Sequence, residues 1–160
     1  MRTFLSGRRR RAGFTLVELA VVIVIIGVLA SFGVPKFMQS VERSKATEAF
    51  NFLSALRSAE ERYQAKEGSY TTDWGRLDVQ WKMSGGAPVL QYFSIGSDFV
   101  ADASTWGATL TRTGAAGNYG AYTVSYSSDG FLPSTVSGPA GIAGSTIPDV
   151  INPLGSQTGP

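Results

Sequence analysis

The chain has 160 residues and a formal net charge of +2, and it contains neither cysteine nor histidine. Disulfides, zinc sites built on Cys or His, and Ser-His or Cys-His nucleophile pairs are therefore excluded. Five of the fourteen basic side chains are Arg2 and Arg8 to Arg11. The rest of the chain has nine basic and twelve acidic side chains, so it has no electrostatic signature of nucleic-acid binding.

A basic block followed by a long apolar segment dominates the N-terminal part of the chain. The 21 residues of 14–34 contain one ionisable side chain, Glu18. As a helix the segment would be roughly 32 Å long, enough to cross a hydrocarbon core of about 30 Å. Because the basic block lies on one side only, we expect the N-terminus to stay in the cytoplasm and the residues after 34 to lie across the membrane. The block consists of Arg8, Arg9, Arg10 and Arg11.

Glu18 is the exceptional residue of this apolar segment. A carboxylate at the middle of a membrane costs on the order of 2.5 to 3.5 kcal/mol unless a partner neutralises it. The segment contains no Lys, Arg or His, so the expected partner is another chain, interfacial water or a newly made amino terminus. A carboxylate near enough to the headgroups to stay hydrated is the alternative interpretation.

The string Gly13-Phe14-Thr15-Leu16-Val17-Glu18, with the apolar run up to Pro35, resembles the prepilin signature of type IV pilins and of type II secretion pseudopilins. The resemblance implies that a membrane aspartyl prepilin peptidase cleaves between Gly13 and Phe14, and that the new amine of Phe14 is N-methylated. It also implies that Glu18 neutralises the amino terminus of a neighbouring subunit during assembly. Residues 1–13 are then a cytoplasmic leader peptide, and the predicted assembly residues are Thr15, Glu18, Gly27 and Pro35.

By this resemblance the chain is a structural subunit and not an enzyme, with no cofactor. The implied partners are further copies of the chain in a helical homopolymer, the prepilin peptidase, an assembly machinery with a cytoplasmic ATPase, and membrane lipid before assembly. We expect a single-pass precursor in the inner membrane and a filament at the cell surface. A type II secretion pseudopilin or a minor pilin is the alternative within the family, and a membrane-anchored adhesive or DNA-binding domain is the alternative outside it.

Helical periodicity continues beyond Pro35, where the missing backbone donor predicts a kink. We predict one helix with a transmembrane half (14–35) and an amphipathic half (36–67), ending before Gly68. The stretch from Gly27 to Pro35 is expected to be helical in the monomer and, as the resemblance implies, extensible in the polymer. The apolar face comprises Phe37, Val41, Phe52, Leu56, Ala59 and Tyr63, and the polar face comprises Glu42, Lys45, Glu48, Arg57 and Glu61.

Residues 68–132 read as a connecting region followed by a small antiparallel sheet. Alternating apolar and polar residues predict strands at 89–94, 106–111 and 122–126, with a connection at 113–118 and an end at 127–130. The aromatic residues of the connecting region, Tyr70, Trp74 and Trp81, are expected to anchor it to its own domain. Packing of the helix on the sheet predicts an α+β domain of the pilin fold.

The tail at 133–160 is rich in Gly, Pro, Ser and Thr, a composition typical of irregular or partly disordered structure. The carboxylates of the chain are scattered, without the spacing of a recognisable metal loop, so no metal site is predicted. A secretory signal ending near residue 31 and a plain single-pass anchor are the competing interpretations of the N-terminus. The tail residues expected to pin it across the sheet are Ile142, Ile147, Val150, Ile151 and Leu154.

Overall fold

The computed structural model describes residues 13–114, 119–134, 138 and 141–155, and these form one long helix and six strands. The predicted α+β class is confirmed. The chain divides into two compact units with the boundary between Met38 and Gln39. The elements are α1 (Leu16–Glu67), β1 (Met83–Ser84), β2 (Ala87–Pro88), β3 (Phe93–Ala101), β4 (Trp106–Arg112), β5 (Thr123–Ser127) and β6 (Gly130–Leu132).

α1 begins two residues later than predicted and ends before Gly68, whose φ of 81° is the left-handed conformation that closes many helices. In the second unit its buried side chains recur at alternating steps of four and three residues, as on one face of a helix. Phe52, Leu56 and Ala59 lie in the core as predicted, whereas Phe37 is exposed. The buried stripe of α1 includes Glu42, Ala46, Ala49, Leu53, Leu56 and Glu60.

The four-stranded sheet has the order β3-β4-β5-β6, and all neighbouring strands are antiparallel. β4 and β5 lie within one residue of the predicted strands. The predicted strand at 89–94 is wrong in its first four residues, because β3 begins at Phe93 and continues to Ala101. Its register against β4 shifts between Ile95 and Phe99, which makes β3 a bulged edge strand. β6, not predicted as a strand, pairs with β5 across the turn at Ser128 and Asp129.

A second, two-stranded sheet interrupts the connecting region that was predicted to be a loop. β1 and β2 pair directly across Gly85 and Gly86, which have φ values of 61° and 83°. Positive φ at both positions of a two-residue turn is the hairpin geometry that glycine permits at no steric cost. The aromatic anchors behave as predicted. The ring centroids of Trp74 and Phe99 are 4.5 Å apart, and those of Trp81 and Phe52 are 5.2 Å apart.

The described part of the tail is irregular, as predicted, but it packs across the sheet. Ser145 and Thr146 donate their backbone N–H groups to the carbonyl oxygens of Leu132 (2.9 Å) and Thr123 (3.0 Å). Among the predicted pinning residues, the three isoleucines are buried, but Val150 and Leu154 are exposed and that part of the prediction is wrong. Residues 115–118, 135–137, 139–140 and 156–160 of the predicted connection and tail lie outside the described residues.

Candidate assembly site

The N-terminus of α1 is closed by a reciprocal pair of hydrogen bonds between Thr15 and Glu18. The Thr15 backbone N–H donates to Glu18 Oε2 (2.9 Å), and the Glu18 backbone N–H donates to Thr15 Oγ1 (3.2 Å). The Thr15 hydroxyl also donates to Glu18 Oε2 (2.8 Å). This arrangement is a capping box, with Thr15 at the N-cap and Glu18 three residues later, and it satisfies two of the backbone donors that a helix start leaves open.

This cap adds a partner for Glu18 that sequence reasoning missed. The expected partners were another chain, water or a new amino terminus, yet the carboxylate is already bound within its own first turn. The signal was present in the sequence, since a threonine followed three residues later by glutamate before an apolar run is the pattern of a capping box. The cap lowers the cost of placing the carboxylate near apolar surroundings, because its charge is hydrogen-bonded there.

The predicted cleavage position lies just before this cap. Gly13 and Phe14 precede the first helical residue, and Phe14 is 84% exposed. A Cβ added at Gly13 would meet no atom within 4 Å, so the bond between these residues lies on an open, non-helical stretch. The predicted topology residues Arg8, Arg9, Arg10 and Arg11 lie outside the described residues.

The first half of α1 presents an apolar surface that packs against nothing in the described part of its own unit. Every residue from 13 to 38 is exposed, including eight valines and isoleucines between Val21 and Val34. By length and composition, α1 is the one helix of the described chain that is long and apolar enough to cross a membrane. A soluble protein rarely exposes a contiguous apolar surface of this size, which marks a membrane or protein contact.

The segment from Gly27 to Pro35 is helical, as predicted for the monomer, but it contains two weak points. Pro35 lies inside α1 and has no N–H to donate to the carbonyl four residues earlier, that of Ser31. The Ser31 hydroxyl in turn donates to the carbonyl oxygen of Val28 (2.7 Å), and such back-bonding bends and weakens helices slightly. A Cβ at Gly27 would meet no atom within 4 Å, so this glycine faces open space.

A buried ion pair joins the second half of α1 to the sheet, and it corrects the prediction that Glu42 lies on the polar face. Arg112 Nε donates to Glu42 Oε1 (2.6 Å), and both side chains are almost completely buried. Lys45 Nζ and the Tyr122 hydroxyl donate to the same carboxylate at 3.2 Å. Burial alone would raise the pKa of Glu42, but the bonds and charges of Arg112 and Lys45 outweigh it and lower the pKa below its ordinary value.

Two further glutamates of α1 accept hydrogen bonds from backbone N–H groups of the loops and so attach these loops to the helix. Glu48 accepts from Gln91 (2.7 Å) and Tyr92 (2.8 Å), which explains why β3 does not begin there. Glu60 accepts from Thr71 (3.2 Å) and is fully buried, while its Oε1 has no hydrogen-bond partner in the described part of the chain. These carboxylates fix the position of the second half of α1 within its unit.

One family model and two similar proteins indicate the same class of protein. The family model for the prokaryotic N-terminal methylation motif matches residues 8–34. The type II secretion system core protein G of Aeromonas hydrophila is 38% identical over 81 residues, or 51% of this chain. The type IV major pilin protein PilA of Myxococcus xanthus is 40% identical over 62 residues, or 39% of this chain and 28% of its own length. The chain is similar to pilins and pseudopilins.

A further relative matches a longer part of this pilin-like chain. The fimbrial protein EcpC of Eikenella corrodens is 35% identical over 107 residues, which are 65% of either chain. This pilin-like chain spans 57% of the core protein G of Aeromonas hydrophila and 65% of EcpC. No solved structure matches it significantly. In its described residues, no group of three carboxylates is placed to hold a metal ion.

Proposed function

We propose that the chain is the structural subunit of a type IV pilus, which polymerises through the first half of α1. The observation that carries this proposal is the apolar surface of residues 13–38, exposed throughout and headed by the Thr15–Glu18 cap. Before assembly this surface lies in the inner membrane. In the filament, copies of the same helix replace the lipid at little hydrophobic cost, because both surroundings are dry.

Processing comes before assembly in this proposal. Cleavage between Gly13 and Phe14 removes the leader with its arginines, and methylation of the new amine follows. The exposed, non-helical position of these two residues ahead of the cap suits access by a peptidase. The cap itself uses no residue of the leader, so the start of α1 is preserved after cleavage.

Glu18 then has two functions that use different oxygens. In the described part of the chain both bonds from Thr15 end on Oε2, so Oε1 remains for a donor from outside. The Phe14 amine of a neighbouring subunit is the donor that the charge calls for, because two buried charges cancel only when they are paired. The contact joins different surfaces of successive subunits, and such a head-to-tail interface produces an open filament.

The experiment that tests this proposal separates the two functions of Glu18. In Glu18→Gln the side-chain amide oxygen can still accept the backbone N–H of Thr15, as a capping box requires, but the charge is lost. Glu18→Ala removes both the acceptor and the charge. We expect both variants to be inserted and cleaved, and both to form few filaments by electron microscopy. Thr15→Val removes the hydroxyl bond of the cap but keeps the charge of Glu18, so it isolates the contribution of the cap and should reduce filaments less than Glu18→Gln. Abundant normal filaments from Glu18→Gln would refute the charge-pairing function.

The cleavage assignment has its own test. Gly13→Leu places a bulky side chain at the residue before the cut and should leave the leader attached. Mass spectrometry of the membrane fraction measures this directly, with Ser6→Leu as a control substitution inside the leader. Normal processing of Gly13→Leu would contradict cleavage after Gly13.

A pseudopilin of type II secretion is the second candidate, favoured by the relatives named core protein G. Both candidates use the same apolar helix, so the N-terminus does not discriminate between them. Abundance does: a major pilin should dominate filaments sheared from the cell surface, whereas a pseudopilin should be scarce there and required for secretion. A deletion strain that lacks surface filaments but secretes normally supports the pilus assignment.

A further inference from the structure

The first half of α1 carries an apolar groove close to its N-terminal cap, which we call the Ala20 groove. It runs between two rows of side chains, and within each row the residues are four positions apart, as neighbours on one face of a helix are. All of its lining residues are exposed in the described part of the chain, so the groove is open to a partner. One row consists of Leu16, Ala20 and Val24, and the other consists of Val17, Val21 and Ile25.

Ala20 gives the groove its depth. It is the only small side chain between residues 16 and 26, where every other residue is Leu, Val, Ile or Glu. A small residue lets a second chain approach the helix backbone closely, as at helix contacts in membranes. The groove has a volume of about 510 Å³, whereas a cavity of about 150 Å³ is enough to hold benzene. A phenyl ring therefore fits into it.

Glu18 borders the Ala20 groove. It lies three residues before Val21 and seven before Ile25, and residues three apart on a helix have Cβ atoms about 5 to 6 Å from each other. Because both bonds from Thr15 end on Glu18 Oε2, a donor that binds Oε1 from outside also lies next to the groove. The charged contact and the apolar groove thus form one continuous surface of the first unit.

Phe14 is the residue that the charged contact brings to this surface. It precedes the first helical residue and is 84% exposed. After cleavage the amine and the ring belong to the same residue, and the ring centre is within about 5 Å of the nitrogen. An amine that binds Glu18 Oε1 at about 2.8 Å holds its ring centre within about 8 Å of that oxygen. The near end of the groove, at Val21, lies within this distance.

We propose that the Ala20 groove is the binding site for the Phe14 ring of a neighbouring copy of the chain. The inference rests on the cleavage and the charge pairing of the proposed function. Lipid tails are as apolar as the groove, so the ring gains by close packing and not by leaving water. Since one residue supplies both the amine and the ring, a subunit that is shifted along the helix loses at least one of the two contacts. Ala20 is thus a positioning residue that sets the register between copies.

Photochemical crosslinking of the full chain tests the contact directly. Replacing Phe14 by p-azidophenylalanine places a photoreactive group on the ring itself. Irradiation of assembled filaments should link position 14 of one copy to residues 16–25 of another, and mass spectrometry of the linked peptides locates the attachment. Leu19, which does not line the groove, receives the same replacement as the matched control and should give severalfold fewer links to the groove residues. Equal linkage from both positions, or links from position 14 to lipid alone, overturn the proposal.

A second measurement tests whether Ala20 determines the fit. Ala20→Leu fills the groove and should reduce the number of filaments severalfold by electron microscopy, with cleavage of each variant checked by mass spectrometry. Adding Phe14→Leu removes the ring and should restore part of the filaments. Ala30→Leu is the same change at a residue outside the groove, and Phe14→Leu should not restore what it loses. Normal filaments from Ala20→Leu, or the same response to Phe14→Leu at both positions, contradict the proposal.

The two experiments also separate this inference from the proposed function. If filaments form and require the charge of Glu18, but position 14 links only to residues outside the groove, only the binding site of the ring is wrong. If no filaments form and position 14 links to lipid without linking to a second copy, polymerisation itself is refuted and the binding site falls with it.

Discussion

Replacing Glu60 by glutamine should remove most of the pH dependence of the stability of the second unit between pH 5 and pH 8. Glu60 is fully buried, and burial, with a contribution from the charge of Glu61, raises its pKa from 4.5 to about 7 against the opposing bond from Thr71. The unfolded chain loses this proton near pH 4.5, whereas the folded chain keeps it to about pH 7. Stability therefore falls as the pH rises through this window, and it levels off above it.

The size of the effect follows from the two pKa values. At about 1.4 kcal/mol per pH unit, a carboxyl pKa raised from 4.5 to about 7 corresponds to about 3 kcal/mol of lost stability above pH 7. For a domain of this size that is a decrease of roughly 10 °C in Tm. Glutamine still accepts the bond from Thr71 but carries no charge, so Glu60→Gln should be more stable than the parent at pH 8 and close to it at pH 5.

Thermal unfolding of the full chain in detergent, followed by near-UV circular dichroism, measures this difference. All three tryptophans, Trp74, Trp81 and Trp106, lie in the second unit and report on its packing. Glu61→Gln, at the exposed neighbouring position, is the control and should retain most of the pH dependence. If the Tm curves of the parent and Glu60→Gln run parallel from pH 5 to pH 8, the burial penalty on Glu60 does not exist.

Two further predictions concern packing against the sheet. Arg112→Met should destabilise the second unit by about 3 kcal/mol, because it leaves the buried Glu42 without its main partner. The double variant Glu42→Leu with Arg112→Met should cost much less, and denaturant unfolding of the single and double variants measures the coupling energy between the two residues. Gly107→Ala would place a Cβ 2.9 Å from Ile142 Cγ1 and should lower the free energy of unfolding by about 1 to 3 kcal/mol. Adding Ile142→Val should restore part of that stability, and equal losses of stability with and without Ile142→Val would contradict the clash.

The long helix and the middle strands were predictable because their signals are local and repeated. α1 differs by two residues from the predicted start, and β4 by one residue from the predicted end. β3 was misplaced because its residues are mostly exposed or half-buried, so no alternation marks it, and pairing with β4 defines it instead. β1 and β2 are two residues long, too short for any periodicity.

The buried carboxylates show a different limit of sequence reasoning. Glu42 and Glu60 continue the stripe of Ala46, Ala49, Leu53 and Leu56 at steps of four residues, so the helical spacing placed them inward. The charge of Glu42 led to the prediction of the polar face, and sequence alone does not say that Arg112, seventy residues away, neutralises it. The partner of a buried charge is decided by the fold, because the free energy of burial depends on that partner.

The sequence by itself determined the N-terminal element: the string around Gly13 and Phe14, the apolar run, and the Thr15–Glu18 pair that caps it. These features join neighbours in the chain, and their chemistry needs no tertiary contact. Only the tertiary structure decided that the tail covers the second face of the sheet, with Ile142 against Gly107, and that Gln39 binds the carbonyl oxygen of Val150. Such contacts join distant segments, and the free energy that selects them comes from burying both partners at once.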